Sequence, residues 1–108
     1  MVKLMEELYI ADSVTNLESA VYNMRRRTPV FRLYCIVYFA DRNRFEIMTS
    51  FQLFSDKNKD RESKIFGLAK GQRSAYTLLC GMLEDVIGED KDLNAPECWF
   101  TDDCGEVI

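Results

Sequence analysis

Histidine is absent from the 108 residues. Without an imidazole the chain holds no Ser-His or Cys-His nucleophile pair and no histidine metal ligand, so an enzyme is not expected. Glycine and proline are scarce, at five and two residues, which excludes a collagenous or low-complexity chain. No apolar run approaches the ~18 residues of a membrane-spanning helix. Residues 1–7, with Glu6 and Glu7, are too acidic and too poor in apolar side chains to form a secretory leader, and a cytoplasmic protein is expected.

The four cysteines, Cys35, Cys80, Cys98 and Cys104, contain no C-x-x-C pair. With no histidine beside them, neither a zinc site nor any other metal or cofactor is expected. Cys35 and Cys80 lie in apolar stretches and read as small buried hydrophobes. Cys98 and Cys104 would close a short loop only in an oxidising compartment, and reduced thiols are expected.

What is present is an ample stock of large apolar side chains, with seven Phe, five Tyr and one Trp. A single domain of this length buries roughly 65% of its unfolded surface, enough for one core. The net charge of −4 conceals a division. Residues 1–83 carry 13 basic and 9 acidic side chains, whereas residues 84–108 carry Lys91 against nine acids. We therefore read residues 1–108 as one α+β domain with an acidic C-terminal segment, 88–108.

The clearest local pattern is a β-hairpin. Phe31, Leu33, Cys35, Val37 and Phe39 alternate with Arg32, Tyr34, Ile36 and Tyr38, and Phe45, Ile47, Thr49, Phe51 and Leu53 alternate with Glu46, Met48, Ser50 and Gln52. A three-residue loop of Asp41, Arg42 and Asn43 pairs Ala40 with Arg44, Phe39 with Phe45, Val37 with Ile47 and Phe31 with Leu53. Asn43 then takes the left-handed position that such loops need.

Residues 12–27 read as a helix. Asp12 or Ser13 caps it, Val14, Leu17, Val21 and Met24 form one stripe, Arg25, Arg26 and Arg27 lie in the last turn, and Thr28 and Pro29 stop it. A long helix is expected to begin at Asp60 or Ser63 and run to about Ile87, with Ile65, Leu68, Ala69, Ala75, Tyr76, Leu79, Met82, Leu83 and Val86 near one face and a break allowed at Lys70 and Gly71. Residues 2–10 fit strand or helix equally well. Two strands alone are marginal, so a third strand from residues 2–9 or 97–101, or pairing with a second copy of the chain, is expected. The fold class is thus α+β, a small antiparallel sheet around residues 30–54 with two helices on its inner face.

Three constellations bear on function. The acidic one comprises Glu84, Asp85, Glu89, Asp90, Asp92, Glu97, Asp102, Asp103 and Glu106, with Trp99 among them as an anchor or contact. Such a surface suits a basic protein partner, for instance a nuclease or another nucleic-acid-binding protein, whose phosphate-binding Arg and Lys the carboxylates would occupy. The second gathers Arg25, Arg26, Arg27, Arg32, Arg42 and Arg44 with Tyr34 and Tyr38 on the outer face of the hairpin, the chemistry that holds single-stranded nucleic acid on a sheet. The third, residues 67–74, has the look of a phosphate loop but lacks the Gly-Lys-Ser/Thr order, and on this reading no buried strand leads into it. Residues 56–60 lack the glycine and glutamate that a calcium loop would require.

In size, acidity and want of catalytic groups the chain is similar in type to small phage and mobile-element proteins that block host nucleases, anti-CRISPR proteins among them. The likeness rests on no segment and carries over no residue role. The leading expectation is a non-enzymatic inhibitor whose acidic surface occludes a basic nucleic-acid-handling site. The alternative is a nucleic-acid-binding accessory protein using the Arg/Tyr face.

Overall fold

The computed structural model describes residues 2–39, 41–42, 44–58, 61–88 and 106–108, the side chains of Glu6 and Glu7 excepted. In chain order its elements are β1 (Val2–Ile10), α1 (Leu17–Arg25), β2 (Leu33–Phe39), β3 (Arg44–Thr49), α2 (Ser50–Leu53), β4 (Ser63–Lys70), α3 (Gln72–Gly88) and β5 (Glu106–Val107). The strands form one sheet in the order β3-β2-β4-β1-β5. β1 and β4 run parallel, while the β2–β3, β2–β4 and β1–β5 pairs are antiparallel. The α+β class holds, but the sheet is mixed and larger than a hairpin with one added strand, and residues 2–10 supply one of its inner strands.

The helices lie on opposite faces of the sheet rather than together on one. Ala20 and Met24 of α1 and Leu53 of α2 pack with Leu33, Cys35, Val37, Phe39, Ile65 and Leu68. Met82 and Val86 of α3 pack with Met5, Ile36, Tyr38 and Phe66. β2 is therefore buried on both sides, as expected of a central strand covered twice.

That double burial overturns the hairpin register inferred above. Phe39 pairs with Arg44, Tyr38 with Phe45, Ile36 with Ile47 and Cys35 with Met48, one residue out of step with pairing Phe39 to Phe45. Ala40 and Asn43, to which the sequence reading gave a pair and a turn position, lie outside the described residues. Alternation selects a register only where one face is polar. Here both faces of β2 are apolar, and the Tyr38, Phe45 and Phe66 rings, 5.6 and 5.4 Å apart in succession, hold the slipped arrangement under α3.

The second hairpin strand also ends sooner. Thr49 caps α2: its side chain accepts from the Gln52 N–H, and the Gln52 side chain accepts from the Thr49 N–H. This capping box turns the chain inward, so Leu53 is fully buried while Phe31, its expected partner, stands 77% exposed.

The helix expected over 60–87 is a strand followed by a helix. Val37 pairs with Ile65 but Ile36 with Gly67, so Phe66 is an extra residue in β4. This β-bulge brings Ile65 and Leu68, three apart, onto the same face, which is the spacing of a helical stripe. Gly71, at φ +87°, makes the turn into α3. Of the two residues expected to begin that helix, Ser63 instead opens β4 and Asp60 lies outside the described residues.

α1 is shorter than 12–27. Asn16, not Asp12 or Ser13, caps it, by accepting from the Ser19 N–H at 3.0 Å. Its end is closed by two bonds, Arg27 N–H to Met24 O and Thr28 N–H to Asn23 O. This closure places Arg27 in the left-handed region at φ 56°, a position that glycine usually fills.

Cys35 is buried as expected, and burial pushes its thiol up to about 12. Cys80 is instead exposed on α3. Cys98 and Cys104, and the strand expected at 97–101, lie outside the described residues. Among the described residues no helix is long and apolar enough to cross a membrane.

Candidate functional site

The acidic residues singled out in the sequence divide into three groups. Glu84 and Asp85 are exposed on α3. Glu106 lies on the α1 side of the sheet, where it accepts from Arg25 Nε at 2.7 Å. Glu89, Asp90, Asp92, Glu97, Trp99, Asp102 and Asp103 lie outside the described residues. The three described acids therefore do not share a face.

The arginines do not gather around the hairpin either. Arg25 is paired with Glu106, Arg26 stacks on Tyr22 and donates to its hydroxyl, and Arg27 stacks on Phe54 and donates to the Ile108 carbonyl. Tyr38 is buried beneath α3. Arg32 precedes the start of β2 and Arg42 and Arg44 lie beyond its end, about 20 Å away along the strand. Of that constellation, Arg32 and the half-buried Tyr34 face an open concavity.

That concavity lies where β1 and β4 end side by side. The chain leaves β1 toward α1 on one face of the sheet and leaves β4 for α3 on the other. Divergent connections from adjacent parallel strands open a crevice at their carboxyl ends, the usual ligand position in sheets that contain such a pair. A cleft of about 910 Å³ occupies this position, lined by Tyr9, Asp12, Ser13, Arg32, Lys70 and Arg73 among others.

The walls of the cleft are fixed by hydrogen bonds from three segments. Ser13 Oγ accepts from the Lys70 N–H at 2.9 Å and lies 2.7 Å from Ser74 Oγ, which ties the loop after β1 to the first turn of α3. The Gly71 N–H donates to the Arg32 carbonyl at 3.0 Å, and Lys70 Nζ donates to the Phe31 carbonyl at 3.2 Å. The first-turn N–H groups of a helix have no partner within the helix and attract anions. Among the described residues, neither Arg32 nor Arg73 forms an ion pair. Glu84 and Asp85 line the same cleft at its other end, about 18 Å along α3 from Gln72.

A second groove, of about 470 Å³, opens beside the first and shares Arg32, Gly71 and Gln72 with it. Phe31, Tyr34, Thr49 and Phe51 complete its lining.

The sequence reading sets residues 67–74 aside for want of the Gly-Lys-Ser/Thr order, an absence that still holds, and of a strand leading into them; in the fold, residues 67–70 complete the buried strand β4, which runs directly into Gly71 and α3. An apolar run ending in Lys70 and Gly71, followed by a polar first turn, was the available signal. The alternation put Phe31 and Phe51 on one face of the expected hairpin, but nothing in it indicated that both would stand exposed at a groove. Comparison with protein-family models, curated proteins and solved structures finds no match. The fold and the cleft therefore define the molecule only as an α+β protein with a crevice at a parallel strand pair, lined by three basic and three acidic side chains.

Proposed function

We propose that the protein is a non-enzymatic nucleic-acid-binding accessory protein that holds phosphate in the cleft at the carboxyl ends of β1 and β4. The observation that carries this reading is the convergence of Arg32, Lys70 and Arg73 with the N-terminus of α3 at one end of the crevice, where Asp12 is the acidic side chain among them and Glu84 and Asp85 lie at the other end. Arginine and lysine hold phosphate by charge and hydrogen bonding, and helix N–H groups add directional donors. Polarisation titrations with short labelled oligonucleotides at several salt concentrations test it. Lys70→Gln and Arg73→Gln are each expected to weaken binding across sequences and to reduce the slope of log K against log salt by roughly one. Failure to bind any oligonucleotide at low salt overturns the proposal.

A second reading keeps the acidic surface as a dock for a basic, nucleic-acid-handling partner. The exposure of Glu84 and Asp85 on α3 favours it. Under this reading Glu84→Gln and Asp85→Asn weaken capture of that partner and flatten its salt dependence, while Lys70→Gln and Arg73→Gln leave capture unchanged.

A further inference from the structure

Phe31 is 77% exposed and Phe51 58% exposed, and both line the groove that adjoins the cleft. They come from different elements, Phe31 from the turn before β2 and Phe51 from the first turn of α2. Tyr34 lies between them in the sequence of β2 and lines the same groove, half-buried. Three aromatic rings beside Arg32, with Lys70 and Arg73 in the adjoining cleft, place stacking surface next to phosphate-holding charge.

The turn that carries Phe31 is itself strained. Leu33 N–H donates to the Val30 carbonyl at 3.2 Å, closing a four-residue turn, and Arg32 occupies its third position at φ 62°. Glycine or asparagine suits that position, and an arginine there costs stability. The backbone is held by the Gly71 N–H on the Arg32 carbonyl and by Lys70 Nζ on the Phe31 carbonyl. The Arg32 side chain is exposed, so its packing does not offset that cost.

We infer that the Phe31, Tyr34 and Phe51 groove takes unpaired bases of single-stranded nucleic acid, with Arg32 positioned by its strained turn to bind the phosphate that leads into the cleft. The inference rests on the nucleic-acid reading above and narrows it to single strands. The bases of a duplex are stacked on one another and present no face to an aromatic side chain, whereas an unpaired base does. Charge complementarity favours this occupant over an apolar peptide, because Arg32 is the charged side chain in the groove's described lining and it borders the end of the cleft that holds Lys70 and Arg73, away from Glu84 and Asp85.

The test is a polarisation titration of the full chain with a labelled mixed-sequence single strand and with a hairpin duplex of the same length. The single strand is expected to bind more tightly. Phe31→Ala and Phe51→Ala should each weaken single-strand binding roughly 5- to 150-fold, and Phe31→Tyr and Phe51→Tyr should restore most of it. Arg32→Gly should weaken binding while raising the melting temperature by roughly 2–4 °C, as relief of a left-handed residue requires. A merely structural arginine would lower both or neither. Duplex bound as tightly as single strand, with Phe31→Ala and Phe51→Ala silent, overturns the inference and leaves the nucleic-acid reading standing. Absence of binding to both probes overturns the two together.

Discussion

Arg61 shows how much one side chain holds in place. Its guanidinium lies 3.6 Å from the centre of the Phe39 ring and donates to Asn58, Glu46 and Asp41. It thereby ties the segment before β4 to the β2 and β3 ends. Because the side chain is largely buried, stacking and charge-assisted bonds are worth more here than at an open surface. Arg61→Ala is expected to cost about 1–3 kcal/mol in urea unfolding, with Arg61→Lys recovering only part, since an ammonium cannot supply the planar fork. Cys35 and Cys80 make a second contrast at this scale. Mass-mapped alkylation of the folded protein is expected to label Cys80 promptly and Cys35 only on unfolding, because the thiolate is the reactive form and burial holds the Cys35 thiol up at about 12. The folded-state value lies above the ordinary 9.0, so this group contributes its stability below pH 9 and loses it as pH rises toward 12. Chemical denaturation at pH 8 and pH 11 checks the sign, with Cys35→Ala expected to lessen the loss.

At the scale of elements, the bulge in β4 governs how the sheet meets α3. Phe66 is the extra residue, and a side chain at Gly67 beside it would press on its neighbours. A Cβ there would lie 3.1 Å from Ile36 Cδ1, 3.2 Å from Leu78 Cδ2 and 3.2 Å from the Tyr9 carbonyl. Gly67→Ala is expected to destabilise by about 1–3 kcal/mol, since two of these neighbours belong to packed side chains and the third to backbone. Gly81 in α3 meets nothing within 4 Å, so Gly81→Ala is expected to stabilise by about 0.5–1 kcal/mol through helix propensity alone. The pair, measured in one thermal or urea series, separates packing from backbone entropy. The capping box is the other decisive element. Thr49→Ala removes the acceptor for the Gln52 N–H and should cost about 1 kcal/mol, and it loosens the turn that sends Phe51 to the groove and Leu53 to the core. Local signals spoke clearly for some elements and ambiguously for others. Asn16, Thr49 and Gln52 are conventional cap residues whose roles are local, and Thr49 and Gln52 were hidden only because strand alternation continued through them. Ile65 and Leu68 misled because a bulge converts strand spacing into helical spacing, and a bulge depends on what the neighbouring strands require.

For the whole molecule, the parallel β1 and β4 pair is the feature from which the cleft follows. Its two exits depart to opposite faces, and the loops that begin those exits, around Ser13 and Gly71, become the cleft walls. β2 and β4 occupy the middle of the sheet with both faces covered, and their amides at Ile36, Val37 and Leu68 are expected to show the slowest hydrogen exchange, opening only with global unfolding. Amides in α1, which leaves Leu17 and Tyr22 exposed, should exchange earlier.

Several properties needed no tertiary structure: the absence of imidazole chemistry, the division of charge along the chain, the alternating strand at 33–39 and a helix within 12–27. Each depends on composition or on neighbours a few positions apart, where periodicity and capping act directly. The hairpin register, the splitting of 60–87 into strand and helix, the dispersal of the arginines and the exposure of Phe31 and Phe51 at one groove were decided by the fold. The register and the split turn on how a second face is covered by an element distant in sequence, and the positions of the exposed arginines and phenylalanines turn on where the fold carries their loops and helix ends; neither has a local signature.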